Sequence, residues 1–252
     1  LGSSDTAAHA GAAAPPDPPH LPKTMSSSQY KLQYFDVRGV AEVIRIIFAV
    51  AKQPYEDLRF PISFGTPGDF STIIRKEFDE AKAKGELDVS MGKVPYLEVN
   101  GVKVGQSKAI ERFLSREFGL LGTSSIEALQ IDALVETVRD IKDAYQKVKA
   151  IKDTDDKAVA MSKWFSEDLP ANVKLAEKSL PTGPGPFMVG SKVSLADLTW
   201  YVFLYSPKGF FDNAEGAEAA FQDCPRIKAA LHATHAIPEL QEWITKRPDT
   251  MM

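Results

Sequence analysis

The period of hydrophobic and polar positions changes twice within the first folded stretch of the chain. The run YKLQYF at 30–35 has the apolar pattern of a short strand, and apolar residues then recur at helical spacing between 40 and 50. A second strand-like run follows at 55–60. This succession predicts a βαβ unit, in which a helix joins two parallel strands.

A hairpin and a further helix complete the first half of the chain. A stretch rich in glycine and proline at 65–68 interrupts the pattern, and 70–84 is predicted to form an irregular helix. Two apolar runs between 95 and 104 flank an Asn-Gly pair, which is typical of a two-residue hairpin turn, and a helical pattern follows at 108–118. The order βαβ, α, ββα, with a proline opening the third strand, predicts a thioredoxin-like domain: a small mixed sheet with helices on both faces.

The second half of the chain has helical periodicity throughout. Apolar residues spaced by three and four positions predict a long amphipathic helix at 125–151, and a second at about 155–180 that Pro170 is expected to kink or divide. Ser194 with Asp197 three residues later matches a capping box, so Asp197 is predicted to be structural. An all-helical second domain follows from this pattern.

The fold class predicted from these elements is an α/β N-terminal thioredoxin-like domain plus an all-α C-terminal helical domain. The expected boundaries are 29–118 for the first domain, 119–124 for a linker and 125–252 for the helical domain. Residues 1–28 are rich in alanine and proline, and we expect a disordered extension there, with Met25 as the natural start.

Composition argues against nucleic acid and membrane as partners and against an internal disulfide. The net charge of -4, without a block of Lys and Arg, argues against nucleic acid as a partner. A single cysteine, Cys224, cannot form an internal disulfide and is expected to be a small buried residue rather than a nucleophile. No apolar run approaches the ~18–20 residues that span a bilayer, so we expect no membrane partner and a cytoplasmic protein.

Two small polar residues stand where the helix after the hairpin begins. Gln106 and Ser107 precede the apolar helical pattern, at the end where a helix presents unpaired N–H groups and the positive end of its dipole. These groups together favour an anion. The alternative is that Ser107 merely caps the helix while Gln106 faces solvent.

Four motifs, in this order, resemble the cytosolic glutathione transferases: YKLQYFDVRGVAEVIRIIF, GKVPYLEVNGVKVGQSKAIERFL, FGLLG and VSLADLTW. Within that family they are most similar to the sigma class. The resemblance begins at about Tyr30 and is weakest between Phe60 and Met91 and through the helical half. It implies glutathione as co-substrate, no metal, and conjugation of the glutathione thiol to small hydrophobic electrophiles.

The resemblance also implies roles for individual residues. Tyr34, rather than Tyr30 or Tyr96, occupies the position of the catalytic tyrosine that stabilises the thiolate. Gln106 and Ser107 would hold the γ-glutamyl carboxylate of glutathione. The further substrate-binding residues implied in this way are Arg38, Lys82, Lys93, Val94, Pro95 and Asp140.

The resemblance assigns a particular part of glutathione to three of these groups of residues. The Val94-Pro95 bond is cis in the family, and the backbone of the residue before the proline pairs with the cysteinyl main chain of glutathione. Lys82 and Lys93, together with Phe78, are candidates for the glycyl end. Asp140 would reach the γ-glutamyl amine bound in the other subunit of a homodimer, so that the site is shared across the interface.

The chain departs from the family in two places. It is longer than typical sigma-class members between Phe60 and Lys93, and the usual tryptophan at the glycyl end has no clear counterpart there. The prostaglandin D synthases of the class carry acidic residues for a divalent ion and an aromatic platform on the helix at 125–151. Here Glu136, Arg139 and Lys147 stand at or near those positions, so prostaglandin isomerase activity and a magnesium site are not expected.

Other functions are possible on the same fold. A binding or structural protein could retain the fold without catalysis, because a fold does not determine a function. A glutathione-dependent peroxidase or isomerase could use the same site. Retention of Tyr34, Gln106 and Ser107 favours catalysis.

Overall fold

The computed structural model describes residues 29–66 and 70–250, so the predicted extension at 1–28 lies outside the described residues. Six strands are present in this part of the chain. They are β1 (Tyr30–Phe35), β2 (Glu56–Phe60), β3 (Ser63–Phe64), β4 (Ile73–Ile74), β5 (Tyr96–Val99) and β6 (Val102–Gly105).

Four of these strands form the mixed sheet that the element order predicts. The order is β2-β1-β5-β6; β1 and β2 are parallel, whereas β5 runs antiparallel to both β1 and β6. The predicted Asn-Gly turn joins β5 to β6, and both turn residues have positive φ, as a type I′ turn requires. The predicted hairpin is confirmed.

Three helices cover this sheet: α1 (Glu42–Val50), α2 (Lys76–Ala83) and α3 (Ser107–Glu117). The prediction of one irregular helix over 70–84 is wrong in its first half. A 3-10 turn at Phe70–Thr72 leads into β4, which pairs with β3 in a separate two-stranded sheet. The β-branched side chains at 72–74 explain the difference, because they pack well in a strand and lose rotamer freedom in a helix.

Seven helices of the described chain follow residue 124, as the helical periodicity predicts. They are α4 (Ser125–Lys149), α5 (Thr154–Lys163), α6 (Leu169–Ser179), α7 (Leu195–Leu204), α8 (Ala214–Ala219), α9 (Pro225–His235) and α10 (Pro238–Lys246). The second predicted helix is divided by a π-turn at Trp164–Asp168, and Pro170 lies in the first turn of α6, where its missing N–H costs nothing. None of the described helices is long and apolar enough to cross a membrane.

The capping box at the start of α7 is present as predicted. Asp197 is buried and accepts hydrogen bonds from the N–H and hydroxyl of Ser194, at 2.9 and 2.6 Å, and from the N–H of Met188 at 2.8 Å. All ten residues of α7 are buried, so this helix forms the centre of the second domain. Asp197 therefore determines where the central helix begins.

Helix α1 is shared by the two domains. Its residues from Glu42 to Phe48 are all buried, between the sheet on one side and α7 and α10 on the other. A helix that is apolar on more than one face must be buried on each of them. The sequence EVIRIIF therefore joins the two domains through one continuous core.

A buried carboxylate fixes the contact between α1 and the end of the chain. Glu42 is 2% exposed, and its Oε1 accepts hydrogen bonds from Trp243 Nε1 at 3.0 Å and Arg247 Nη1 at 2.5 Å. A second pair, between Lys52 and Glu239, joins the same two regions at the surface. The first pair is shielded from water and the second is not.

Replacing Glu42 tests the importance of this contact. Glu42→Gln leaves the Arg247 guanidinium without its carboxylate in a buried setting, and we expect the free energy of unfolding to fall by about 3 kcal/mol. Urea unfolding followed by tryptophan fluorescence measures this. The matched control is Lys52→Ala, which breaks the exposed pair and should leave the unfolding midpoint close to that of the wild type. Equal midpoints for wild type and Glu42→Gln would contradict the assignment.

Candidate active site

The ends of three neighbouring strands bring the main predicted site residues into one row. Gln33 lies opposite Tyr96, and Tyr96 lies opposite Gly105. One step further along each strand are Tyr34, Pro95 and Gln106. Neighbouring antiparallel strands place such residues about 5 Å apart, so the row spans roughly 10 Å, the length of an extended tripeptide.

The middle of the row is the start of β5. The Val94-Pro95 peptide bond is cis, as the family resemblance implies. The paired residues of β5 begin at Tyr96, so Val94 lies beyond the last paired residues of the sheet. The backbone of Val94 is therefore not used in strand pairing and is available to a molecule bound at this end of the strands.

Gln106 has an unusual backbone at the end of the row. Its φ of 74° and ψ of 96° lie where a residue with a side chain is rarely found, and Gln106 is the N-cap of α3 without a side-chain capping bond. Ser107 is the first residue of α3, and its hydroxyl makes no hydrogen bond to any other described residue. Ser107 therefore does not cap the helix with its side chain, whereas Gln106 is exposed, as that alternative expects. The Ser107 hydroxyl is available at the helix N-terminus, and the binding role of both residues stays a prediction.

Tyr34 presents its hydroxyl at the other end of the row. The side chain is 9% exposed, and the backbone N–H of Val40 donates to its Oη at 3.4 Å. Burial raises the pKa of Tyr34 above its ordinary value, while the Val40 bond and the charge of Arg45 lower it in part. The group is therefore a neutral hydroxyl near pH 7, and because the Val40 bond uses an oxygen lone pair, its proton is free to be donated.

A glycine keeps the space above this hydroxyl open. Gly39 has a φ of +44°, and a Cβ built on it would lie 2.6 Å from Tyr34 Oη. Such a distance is too short for any side chain, so Gly39 is required by both its backbone and its neighbour. A side chain at this position would therefore displace the Tyr34 ring and its hydroxyl.

Arg45 holds the segment that follows Tyr34, and sequence reasoning missed it. Its guanidinium is fully buried and donates to the carbonyl of Val37 at 2.7 Å and to those of Phe35 and Arg38 at 3.4 Å. It also pairs with Asp57 at 3.2 Å. One charged residue within the apolar run VIRIIF was the only signal in the sequence.

The lysines expected at the glycyl end lie beside the middle of the row. The Cε of Lys82 would be 3.0 Å from a Cβ on Gly92, so this side chain crosses the segment just before Lys93. Both lysines are exposed, and their contacts with a ligand stay predictions. Phe78 is different, because it is 4% exposed and packs between Phe35 and Phe60 in the core.

Arg38 is engaged elsewhere than expected. Its Nε donates to the carbonyl of Lys208 at 3.0 Å and its Nη1 to the carbonyl of Thr250 at 2.7 Å. These bonds attach the loop after β1 to the C-terminal segment. The contacts favour a role in joining the domains over the predicted contact with substrate.

Several other sequence candidates are core residues. Tyr30 packs on Phe48 with ring centroids 5.5 Å apart, and Tyr96 belongs to the cluster around Phe78. Cys224 is fully buried, as expected of a packing residue. These placements leave Tyr34 as the tyrosine at the strand edge.

Asp140 lies on α4. It is exposed on the helix surface. Glu136, on the same helix, pairs with both Arg112 and Arg139. The role of Asp140 across a subunit interface stays a prediction.

Family models, curated relatives and solved structures all relate this chain to the glutathione S-transferases. A family model described as the glutathione S-transferase N-terminal domain matches residues 30–116, and one described as the C-terminal domain matches 139–247. The hematopoietic prostaglandin D synthase of Gallus gallus is 34% identical over 223 residues, which cover 88% of this chain and 98% of the relative. The glutathione S-transferase S1 of Drosophila melanogaster is 29% identical over 221 residues, covering 88% and 80%. The solved glutathione S-transferase of Ascaris lumbricoides is 28% identical, with a TM-score of 0.67 and coverage of 88% and 98%.

The positive φ of Gln106 predicts that a glycine at this position stabilises the protein. Gln106→Gly removes the steric cost of positive φ, and we expect the free energy of unfolding to rise by up to about 1 kcal/mol. Urea unfolding measures the change. The control is Ser107→Gly, one residue further on in a helical conformation, where glycine should lower stability by about 0.5–1 kcal/mol. A loss of stability in both variants would argue against strain at Gln106.

Proposed function

Since this chain belongs to the cytosolic glutathione S-transferase family, we propose that it is a glutathione transferase that conjugates glutathione to small hydrophobic electrophiles. The single observation that carries the proposal is the row at the edge of the sheet, with the Tyr34 hydroxyl at one end and the N-terminus of α3 at the other. The proposed setting is cytoplasmic, in the detoxification of reactive compounds.

The Tyr34 hydroxyl supplies the chemistry in this proposal. A free thiol has a pKa of about 8.5, and lowering it by about two units requires about 2.7 kcal/mol of preference for the thiolate. A hydroxyl that donates to sulfur in a partly desolvated site can provide a preference of this size. The sulfur then attacks the electrophile and a carbon–sulfur bond forms. In a substitution the leaving group departs with its electron pair; in an addition the π electrons of the double bond move to the neighbouring atom, which takes up a proton from solvent.

The opposite end of the row supplies binding. Gln106 and Ser107 offer a hydroxyl, an amide and the unpaired N–H groups of α3 to the γ-glutamyl carboxylate. The backbone of Val94 would pair with the cysteinyl residue of glutathione, which directs the thiol toward Tyr34. Lys82 and Lys93 are proposed to face the glycyl carboxylate.

The finer class is proposed to be sigma-like. The relatives include proteins named as glutathione S-transferases and as hematopoietic prostaglandin D synthases, so a glutathione-dependent isomerase is the second candidate. The ion pairs of Glu136 with Arg112 and Arg139 favour the transferase, because they occupy an acidic group that a divalent ion would need. A peroxidase, or a binding protein without catalysis, are the remaining alternatives.

Replacement of the tyrosine tests the chemical step. Tyr34→Phe removes the donated proton while keeping the ring, and we expect turnover of a chloronitrobenzene to fall by about ten- to a thousand-fold. The apparent pKa of the bound thiol, read from the pH dependence of the rate, should rise toward that of free glutathione. Glutathione affinity, measured by calorimetry, should change little.

The matched control is Tyr96→Phe, a tyrosine of the same sheet that belongs to the core cluster. It should retain turnover within a few-fold of the wild type. Wild-type turnover in Tyr34→Phe would remove this hydroxyl from the mechanism, whereas equal losses in both variants would indicate a general effect on the fold.

We further propose a homodimer in which the site is completed across the interface. The N-terminus of α3 attracts a carboxylate, but the γ-glutamyl ammonium needs an anion, which the Gln106 region does not supply. Asp140, exposed on α4, is the proposed source, in the subunit opposite. The alternative is that Asp140 belongs to a solvated helix surface.

Asp140→Ala tests the shared site. We expect the variant to remain a dimer by sedimentation and to bind glutathione several-fold more weakly, because one buried ion pair is lost. Asp143→Ala is the control, since it removes the same charge from a nearby exposed position of α4 and should bind as the wild type does. A fully active monomer at micromolar concentration would overturn the shared site.

A further inference from the structure

A lysine with no acidic partner lies inside the helical domain, close to the first turn of α3. Lys142, on α4, is partly buried, and its Nζ lies 4.5 Å from the ring centroid of Phe210 and 5.6 Å from that of Phe203. Within the described residues it forms neither a hydrogen bond nor an ion pair. Its ammonium is therefore held against two aromatic faces and not by a carboxylate.

The charges around Lys142 do not balance. The charges that act on Lys142 are those of Lys108 and Glu111, both on α3. Glu111 is 1% exposed, and both its carboxylate oxygens accept hydrogen bonds from Lys108, at 3.0 and 2.8 Å. The single carboxylate is thus shared between two ammonium groups, and one positive charge remains.

The pKa of Lys142 agrees with this arrangement. Burial, and then the charge of Lys108, lower it to about 8, while Glu111 acts in the opposite direction. A buried ammonium without a partner favours its neutral form, and an anion brought beside it would reverse that preference.

The neighbours of Lys142 belong to segments attached to the two ends of the proposed row. Lys108 follows Ser107 directly in the first turn of α3. Phe210 belongs to the loop after α7. In the same loop the carbonyl of Lys208 accepts a hydrogen bond from Arg38, which follows Tyr34 by four residues. Lys142 therefore lies near the α3 N-terminus and a loop attached to the tyrosine end of the row.

From this geometry we propose that Lys142 is a specificity-determining residue, which selects apolar electrophiles that carry a carboxylate. The inference rests on the proposed transferase function and names its second substrate more closely. The partly exposed ring of Phe210 would contact the apolar part of the substrate, with the buried Phe203 behind it, and the Lys142 ammonium would pair with its carboxylate. The substrate carboxylate would give the buried Lys142 ammonium the anionic partner that it lacks in the free protein.

Two chlorinated rings that differ in one group provide the test. They are a chlorodinitrobenzene and the corresponding chlorodinitrobenzoate. In both, the glutathione sulfur bonds to the ring carbon, the carbon–chlorine bond breaks, chloride leaves with the electron pair, and the thiol proton passes to solvent. The measured quantity is the ratio of kcat/KM for the benzoate to kcat/KM for the neutral ring.

We expect Lys142→Met to lower this ratio about tenfold or more, as loss of a hydrogen-bonded charge does. Lys142→Arg keeps the charge and should keep the preference. Lys149→Met, which removes a lysine from an exposed position at the end of the same helix, should leave the ratio as in the wild type. In the wild type the ratio should fall as the pH rises through about 8, because the amine loses its charge, and in Lys142→Arg it should not.

Two results would overturn the proposal: an unchanged ratio in Lys142→Met, or a loss confined to the KM of glutathione, which would assign the ammonium to a glutathione carboxylate. If the wild type conjugates neither ring, the proposed transferase function fails and calorimetry decides the question of specificity. Selective loss of benzoate binding in Lys142→Met would then support the assignment. Equal binding of the benzoate to both proteins would overturn it.

Discussion

A fully buried guanidinium is the constraint on which the rest of this structure depends. Arg45 cannot be hydrated, so each of its donors must find an oxygen within the protein. The carbonyls between Phe35 and Arg38 supply some of these acceptors, and Asp57 on β2 supplies a charge. The segment after β1 is therefore held to α1 by the hydrogen bonds of Arg45. The guanidinium of Arg45 also lies over the Tyr34 ring and helps to position it.

The same helix makes the two domains behave as one body around the site. On the face opposite the sheet, α1 contacts α7 and α10, and its Glu42 accepts bonds from the last helical region of the chain. Arg38 adds a link from the β1 loop to the C-terminal segment. The row of site residues lies beside these contacts between the domains, so a movement of the helical domain would shift the surroundings of Tyr34.

The sequence predicted those parts of the fold that depend on local pattern. The βαβ unit, the Asn-Gly hairpin and the Ser194 capping box follow from periodicity and turn chemistry, and all are present. The short strand at Ile73–Ile74 was missed because its pairing with β3 is a tertiary contact. Residues of the site were named from motifs, but neither the positive φ of Gln106 nor the anchoring role of Arg45 can be read from residue type, because each is imposed by neighbours distant in sequence.

Gly39 has a consequence for how such a chain can change over evolutionary time. A Cβ at position 39 would lie 2.6 Å from the Tyr34 hydroxyl, so a single substitution there would displace the hydroxyl from its present position. Gly39 and Val40 are exposed, and the core beneath them is continuous, so most of the fold and the α3 end of the row would persist. A single substitution would thus change the tyrosine end of the row while leaving the rest of the fold intact.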